Sequence, residues 1–272
     1  MTRGNLRLLG TDDLANAIEL ARLAGWNQTI EDWQTLLRLD PQACFCIELD
    51  GRIVATATML SYGRRLAWIG MVLTRQEYRR RGFAQRLVKA ALERAGDLKI
   101  ESVKLDATPE GQPLYEKLGF QTEQIVERWF RAGLQDRATR KTVPSPDAYS
   151  LELDLQAFGA DRAMLLRQLE LRNPPITAVG AHCFARDGAR ARYLGPCVAQ
   201  EQKAARLVIE QSLRESPESD WYWDLLCTNR NALQLATEFG FVPRRRLERM
   251  VLGNTIKKND ELVYAIAGFE LG

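Results

Sequence analysis

The chain has 272 residues, 46% of them hydrophobic and 27% charged, and a formal net charge of +3. This length allows one large domain or two modest ones. The small charge excess is shared evenly by the two halves and argues against nucleic acid as a partner. A single histidine, His182, excludes metal centres built on several histidines, so we expect no metal cofactor.

The cysteines and the start of the chain bear on its cellular compartment. Five cysteines are an odd number, and no C-x-x-C pair occurs among them. No run of 18 apolar residues is present, and the first residues lack the long apolar core of a signal peptide. We therefore predict a cytoplasmic protein with reduced thiols and no membrane partner.

The first residues predict a strand followed by two helices. A strand at 6–9 precedes a helix that Thr11 can cap and Gly25 can end. Thr29, followed three positions later by Asp32, is a capping-box variant that predicts the start of the second helix.

A hairpin and further alternating elements follow. Asp50-Gly51 lies between apolar runs at 44–49 and 52–60 and is a strong two-residue hairpin signal. The remaining predicted elements are a strand at 66–74, a helix at 82–95, a strand at 102–106, a short helix at 114–118 and a strand at 120–130. Because meandering strands cannot all be parallel, the order predicts an α/β fold with a mixed sheet.

The second half partly repeats the first. Trp68-Ile-Gly70 is echoed by Tyr193-Leu-Gly195, at an offset of 125, and Gly119-Phe120 by Gly240-Phe241, at an offset of 121. Matched pairs in the same order favour a degenerate tandem repeat over two unrelated α/β segments with coincident Gly-Phe turns. We predict one domain at 1–134, a polar linker at 135–148 and a second domain at 149–272.

The most informative stretch is a strand that runs into a basic loop and then a helix. Three arginines, Arg79 to Arg81, precede Gly82 and Ala84 at the predicted helix start. Free N–H groups at a helix N-terminus attract anions, small residues let a phosphate approach, and guanidinium groups suit phosphate oxygens. The expected ligand is a diphosphate, although a run of three arginines can also be a solvated basic turn.

The motif R-x-x-G-x-A, present as Arg79-Arg-Arg-Gly82-Phe-Ala84, resembles the acetyl-coenzyme A signature of the GNAT N-acetyltransferase superfamily. A companion tyrosine, Tyr115, stands four residues before Gly119-Phe120, as it usually does in that family. The resemblance covers about 4–131. The whole chain also resembles a bacterial subfamily with a second, GNAT-like C-terminal domain, which implies two tandem domains, each a mixed, largely antiparallel sheet flanked by helices.

The resemblance also implies roles for individual residues. Tyr115 would be the general acid that protonates the leaving thiolate. Thr108 stands where the family often has an asparagine seven residues before the tyrosine, which weakens one expected cofactor contact. The implied cofactor-binding residues are Val72, Leu73 and Thr74 for the pantetheine, and Arg79, Arg80, Arg81, Gly82, Phe83 and Ala84 for the pyrophosphate.

The acceptor side of the site is less defined. Trp26 and Asn27 follow the first helix, where the family usually places acceptor-binding groups, but Trp26 is an equally plausible core residue. Asp106 is the nearest candidate for the general base. It can also be a solvated strand end or a helix cap, and deprotonation through water is equally compatible.

The second repeat lacks both the basic phosphate loop and the tyrosine. Glu201 brings negative charge to the turn opposite the phosphate loop, and Ala236 stands opposite Tyr115. We therefore predict one active site per chain, in the first domain. The expected function is transfer of an acetyl group from acetyl-CoA to a primary amine of a small molecule or peptide, by direct attack. The alternative is a non-catalytic acyl-CoA-binding sensor or interaction module.

Overall fold

A computed structural model describes residues 4–134 and 149–272, and the predicted linker at 135–148 lies outside the described residues. The chain divides into two compact units. Unit 1 holds the described residues up to Leu105 together with Val251–Asn254 and Leu271. Unit 2 holds the described residues of Asp106–Met250 together with Thr255–Glu270 and Gly272.

Unit 1 is a strand meander covered by helices. Its elements are β1 (Asn5–Leu8), α1 (Leu14–Leu23), α2 (Ile30–Leu39), β2 (Cys44–Leu49), β3 (Arg52–Tyr62), β4 (Leu66–Thr74), α3 (Phe83–Asp97) and β5 (Ser102–Ala107), of which the last two residues belong to unit 2. β1 to β4 pair antiparallel in sequence order, and β5 pairs parallel with β4. The predicted mixed, largely antiparallel sheet is confirmed.

Two local predictions in unit 1 are confirmed. The Thr29 N–H donates to Asp32 Oδ2 at 2.8 Å and the Asp32 N–H to Thr29 Oγ1 at 3.4 Å, which makes a complete capping box before α2. Asp50 and Gly51 have φ values of 51° and 73° between β2 and β3, the left-handed pair that a tight hairpin needs.

The predicted cap at Thr11 is wrong. Thr11–Asp13 form a 3₁₀ turn, and α1 begins directly after this turn, at Leu14. The Asp13 carboxylate accepts the Gly10 N–H at 2.8 Å and also pairs with Arg7. This local pair fixes the start of the turn, so the Thr11 hydroxyl makes no cap.

Unit 2 has strands from both sequence repeats. Its elements are α4 (Gln112–Lys117), β6 (Gln121–Arg131), α5 (Leu151–Phe158), α6 (Ala163–Arg172), β7 (Ile176–Ala178), β8 (Ala181–Arg186), β9 (Arg192–Ala199), α7 (Gln202–Arg214), β10 (Trp221–Leu226), α8 (Arg230–Glu238), β11 (Val242–Gly253) and β12 (Val263–Ala265). β11, β6, β10, β9, β8 and β7 are neighbours in that order, and β12 pairs with β9.

The last long strand of each repeat contributes to the unit formed mainly by the other repeat. β6 pairs antiparallel with β10, from Trp221↔Arg131 to Leu226↔Val126. The end of β11 belongs to unit 1, where the Asn254 N–H donates to Glu101 O at 3.0 Å. The compact units are therefore assembled from both sequence repeats.

Large aromatic residues organise the core of unit 2. Trp221 and Trp223 alternate along β10 and are fully buried. The Trp223 indole N–H donates to Tyr264 O at 2.7 Å and that of Trp221 to Ser216 O at 3.1 Å, so neither polar atom is left unpaired in the core. Within the described residues, no helix is both long and apolar enough to cross a membrane.

Candidate active site

A bulge separates β4 into two parts. Met71 has φ of 51°, its carbonyl accepts the buried Thr56 hydroxyl at 2.9 Å, and the register between β3 and β4 shifts at this point. β5 pairs with β4 only at Ala67↔Val103 and Trp68↔Lys104. Past Trp68, no strand of the described residues pairs with β4 on the side of β5, and an unpaired edge of this kind can take an extended ligand as an added strand.

The residues predicted to bind the pantetheine lie on this open part of β4. Val72 and Thr74 are partly exposed, whereas the Leu73 side chain is buried. On one edge of β4, Leu73 pairs with Thr56 and Thr74 with Ala55 of β3. On the other edge, β5 does not pair with β4 at these residues.

The loop between β4 and α3 has the geometry of an anion nest. Arg80 and Gly82 have φ values of 61° and 80°, so left-handed residues flank Arg81 just before Phe83 begins the helix. Alternating backbone handedness turns successive N–H groups toward one point, and the first amides of α3 add to them. All three arginines and Gly82 are exposed.

Side-chain contacts hold this loop in place. The Arg79 guanidinium donates to Thr74 O at 3.3 Å, and that of Arg81 donates to Glu77 O at 3.3 Å. Arg81 also lies 5.1 Å from the centre of the Tyr78 ring. Phe83 is buried at the start of α3 and Ala84 is half-buried beside it, so the helix start is packed and the loop before it faces solvent.

Tyr115 lies in unit 2, on α4. Its ring packs edge-on against Phe120, with centroids 6.0 Å apart. The side chain is buried, and this burial raises the pKa of the phenol. The Thr108 hydroxyl and carbonyl both accept the Gly111 N–H, at 3.2 and 2.9 Å, which closes the turn that starts α4.

Sequence reasoning missed Gly111 as a positioning residue. A Cβ at this position would lie 3.1 Å from Tyr115 Cε2, so the glycine makes room for the ring. Gly111 stands four residues before Tyr115 along the chain, and that spacing is the signal from which it could have been found.

The loop between α1 and α2 carries buried polar groups. Asn27 is buried and Trp26 is half-buried. The backbone N–H of Trp26 donates to Ala21 O at 2.9 Å. Gln28, which was not predicted from the sequence, is also buried, and within the described residues its Oε1 accepts no hydrogen bond. That oxygen has almost no accessible surface, so it is enclosed by the protein.

The Asp106 side chain is neither solvated nor a helix cap. Its carboxylate accepts two hydrogen bonds from the Arg249 guanidinium, at 2.9 and 3.0 Å, and is fully buried. Burial raises the pKa of Asp106, and Arg249 offsets part of that rise. Both carboxylate oxygens are engaged in this pair.

The second repeat lacks the nest. Glu201 is the N-cap residue of α7, with an extended backbone (φ of −135°) and no capping hydrogen bond from its side chain. Between 196 and 204, all within the described residues, no residue has a positive φ. Ala236, opposite Tyr115 in the repeat, is fully buried in the core of unit 2.

The edge of β9 that corresponds to the open edge of β4 is occupied by β12. At the offset of 125, Val72 and Leu73 correspond to Cys197 and Val198. These two residues of β9 pair antiparallel with β12, as Ala265↔Cys197 and Val263↔Val198. The chain thus places its own strand along the part of β9 that corresponds to the unpaired part of β4.

Comparisons with known proteins identify the family of both sequence repeats. Residues 12–120 match the model of the Acetyltransferase (GNAT) family, and residues 150–265 match that of an Acetyltransferase (GNAT) domain. A Bacillus subtilis protein described as the uncharacterized N-acetyltransferase YitH is 28% identical over 215 residues, which cover 74% of this chain and 75% of that protein.

Solved structures share this fold over 92–100% of the chain. A putative acetyltransferase from Pyrococcus horikoshii has a TM-score of 0.82 at 21% identity, covering 100% of this chain and 97% of its own. A GCN5-related N-acetyltransferase from Sphaerobacter thermophilus has a TM-score of 0.70 at 15% identity, covering 95% and 99%. A tandem GNAT protein from the clavulanic acid biosynthesis pathway has a TM-score of 0.61 at 17% identity, covering 92% and 98%.

The two matched regions, 12–120 and 150–265, together span most of the sequence. The chain belongs to the GNAT acetyltransferases and carries two GNAT domains in tandem. It is an enzyme of the acyl-CoA N-acyltransferase type.

Proposed function

We propose that the chain transfers the acetyl group of acetyl-CoA to a primary amine of a small molecule or peptide, at one site in the first repeat. The observation that carries this proposal is the open edge of β4 past Trp68, followed by the left-handed nest at Arg80 and Gly82. The proposed domains are 1–134 for catalysis and 149–272 for a non-catalytic partner, joined at 135–148.

The residues of unit 1 suit the two polar parts of coenzyme A. The backbone of Val72, Leu73 and Thr74 would pair with the pantetheine amides, because this edge lacks a β5 partner. The amides from Arg80 to Ala84 would hold the pyrophosphate, with the guanidinium of Arg79 adding positive charge.

Acetyl-CoA supplies a thioester that a neutral amine attacks directly, leaving a thiolate. Tyr115 would give its phenolic proton to that sulfur. A phenol with its ordinary pKa near 10 carries its proton at neutral pH, and Tyr115, whose pKa burial raises, carries it as well. The amine would lose its proton through water rather than to Asp106, whose two oxygens already accept from Arg249.

Trp26 and Asn27, in the loop between α1 and α2, would form a wall of the acceptor pocket. Trp26 is half-buried and Asn27 is buried.

Release of free thiol from acetyl-CoA, measured against a panel of primary amines and short peptides, tests the proposed function. We expect release that requires both the enzyme and an amine, with the acetylated amine as product. A chain that binds coenzyme A but acetylates no member of a broad panel would instead support the sensor or interaction module.

Substitution of Gly82 by glutamate should abolish binding of coenzyme A. Gly82 has φ of 80°, and its side-chain position is open, so the change places a negative charge at the nest without a steric clash. Calorimetry should give one coenzyme A per wild-type chain and no measurable heat of binding for Gly82→Glu. Like charges at such a site repel.

Gly63→Glu is the matched control. Gly63 also has a positive φ, 64°, and open space at its side-chain position, but lies in the turn between β3 and β4. Gly63→Glu should bind coenzyme A as the wild type does. Unchanged affinity of the Gly82→Glu protein would show that the nest does not hold the pyrophosphate.

A further inference from the structure

Arg75, between β4 and the nest, is a buried arginine. It directly follows Thr74, the last residue of β4, and stands four residues before Arg79. Arg75 is 3% exposed, whereas the arginines at 79–81 are exposed. Burying a charge is costly unless the charge is paired, so the partners of Arg75 indicate what this residue does.

The Arg75 guanidinium joins β3 to α1. Its Nε donates to Ile53 O at 2.9 Å, near the start of β3, and its Nη2 pairs with Glu19 Oε2 on α1. The hydrogen bond from Arg75 holds the pKa of Glu19 below its ordinary value, so this carboxylate is ionised at neutral pH. Because the donors of a guanidinium lie in one rigid plane, two such partners hold the side chain in a single orientation.

The backbone of Arg75 continues from this anchor into the loop. Its N–H donates to Val54 O at 2.9 Å, and its carbonyl accepts the Tyr78 N–H at 2.9 Å. The second bond closes the 3₁₀ turn that begins at Gln76. The next N–H, that of Arg79, donates to Gln76 O at 3.3 Å. Hydrogen-bonded backbone therefore leads from the anchored residue to the start of the nest.

We propose that Arg75 is a positioning residue for the pyrophosphate of acetyl-CoA, an inference that rests on the cofactor site of the proposed function. Its anchored side chain fixes the point at which the chain leaves β4, and the turn carries that position to the nest. Since the pantetheine residues end at Thr74, Arg75 also sets the distance between the two parts of the cofactor site. Displacing a binding group by about 1 Å can cost about 10²-fold.

Arg75→Met tests this role, because it removes the guanidinium and keeps an apolar side chain in the buried position. Calorimetry of coenzyme A binding to the full chain, well below the melting temperature, gives both the Kd and the number of sites. We expect one site per chain, with a Kd about 10–100-fold above that of the wild type. A loss of stability alone would lower the number of sites, since unfolded chains do not bind, and leave the Kd unchanged.

Arg52→Met is the matched control. Arg52 also pairs with Glu19, at 3.4 Å, but its side chain is 49% exposed at the first residue of β3. Its loss should leave the Kd for coenzyme A within about twofold of the wild type, because exposed ion pairs contribute little. Glu19→Met breaks the link to Arg75 from its surface end, where the Glu19 side chain is 39% exposed, and should raise the Kd as Arg75→Met does.

The positioning role is overturned if Arg75→Met binds coenzyme A with a Kd within about twofold of the wild type, or if Arg52→Met raises the Kd equally. If Arg75→Met does not fold, the Kd of Glu19→Met decides by the same criterion. A wild-type chain that binds no coenzyme A would refute the proposed cofactor site and this inference with it. Unchanged affinity of Arg75→Met, beside a Gly82→Glu protein that does not bind, would refute the positioning role alone.

Discussion

Substitution of Tyr115 by phenylalanine should lower kcat about 10²-fold while the Kd for coenzyme A stays unchanged, the usual size of a lost general acid. The change removes the hydroxyl and keeps the ring that packs beside Gly111 and against Phe120. Steady-state thiol release gives kcat, and calorimetry gives the affinity for coenzyme A.

Tyr264→Phe provides the control. Tyr264 is likewise a buried tyrosine, but it belongs to β12 in the second repeat, so its substitution should leave kcat within about twofold of the wild type. Unchanged turnover of Tyr115→Phe would refute the acid assignment. Loss of both affinity and thermal stability would assign the residue a structural role instead.

A fragment that begins at residue 149, the predicted start of the second domain, should fail to fold cooperatively. It lacks β6, so β10 loses its antiparallel partner. It also lacks Arg128, whose guanidinium donates to both Asp224 oxygens at 2.7 and 2.6 Å in the core. Removing one partner of a buried ion pair costs about 3–5 kcal/mol, a large part of the 5–15 kcal/mol that typically stabilises a native protein.

A fragment that begins at residue 106 is the matched comparison, because it keeps β6 and Arg128 and follows the boundary of unit 2. We expect it to melt in one cooperative transition by circular dichroism, and the fragment from 149 to show none. Equal melting temperatures for the two fragments would mean that β6 is dispensable for unit 2.

Much of the fold was predictable because local signals dominate its elements. Asp50-Gly51 adopts left-handed backbone in any context that forms a two-residue hairpin, and the Thr29 capping box is a contact over three residues. The placement of β6 and β11 was not predictable. β6 and β10 pair residues 90 to 100 positions apart, and neither strand carries a sequence signal that selects the other as its neighbour.

The candidate site was predictable only where its chemistry is local. Gly82 at a helix start identifies the nest, but the left-handed conformation of Arg80 follows from its surroundings. The Asp106–Arg249 pair joins residues 143 positions apart, so the sequence alone favoured a solvated strand end or a helix cap at Asp106. The sequence showed that the second repeat had lost Tyr115 and the basic loop, yet it carried no sign that β12 lies along β9.

The pairing of β6, from the first repeat, with β10, from the second, has a consequence for synthesis on the ribosome. Arg131 leaves the ribosome 90 residues ahead of Trp221, its partner in β10. At about 5–20 residues per second, β6 waits roughly 5–20 s before its native neighbour is made. An unpaired strand is an aggregation hazard during such a delay, and charged side chains reduce it. Glu123, Glu127, Arg128 and Arg131 place such charges along β6, so the strand carries its own protection while the second half of the chain is translated.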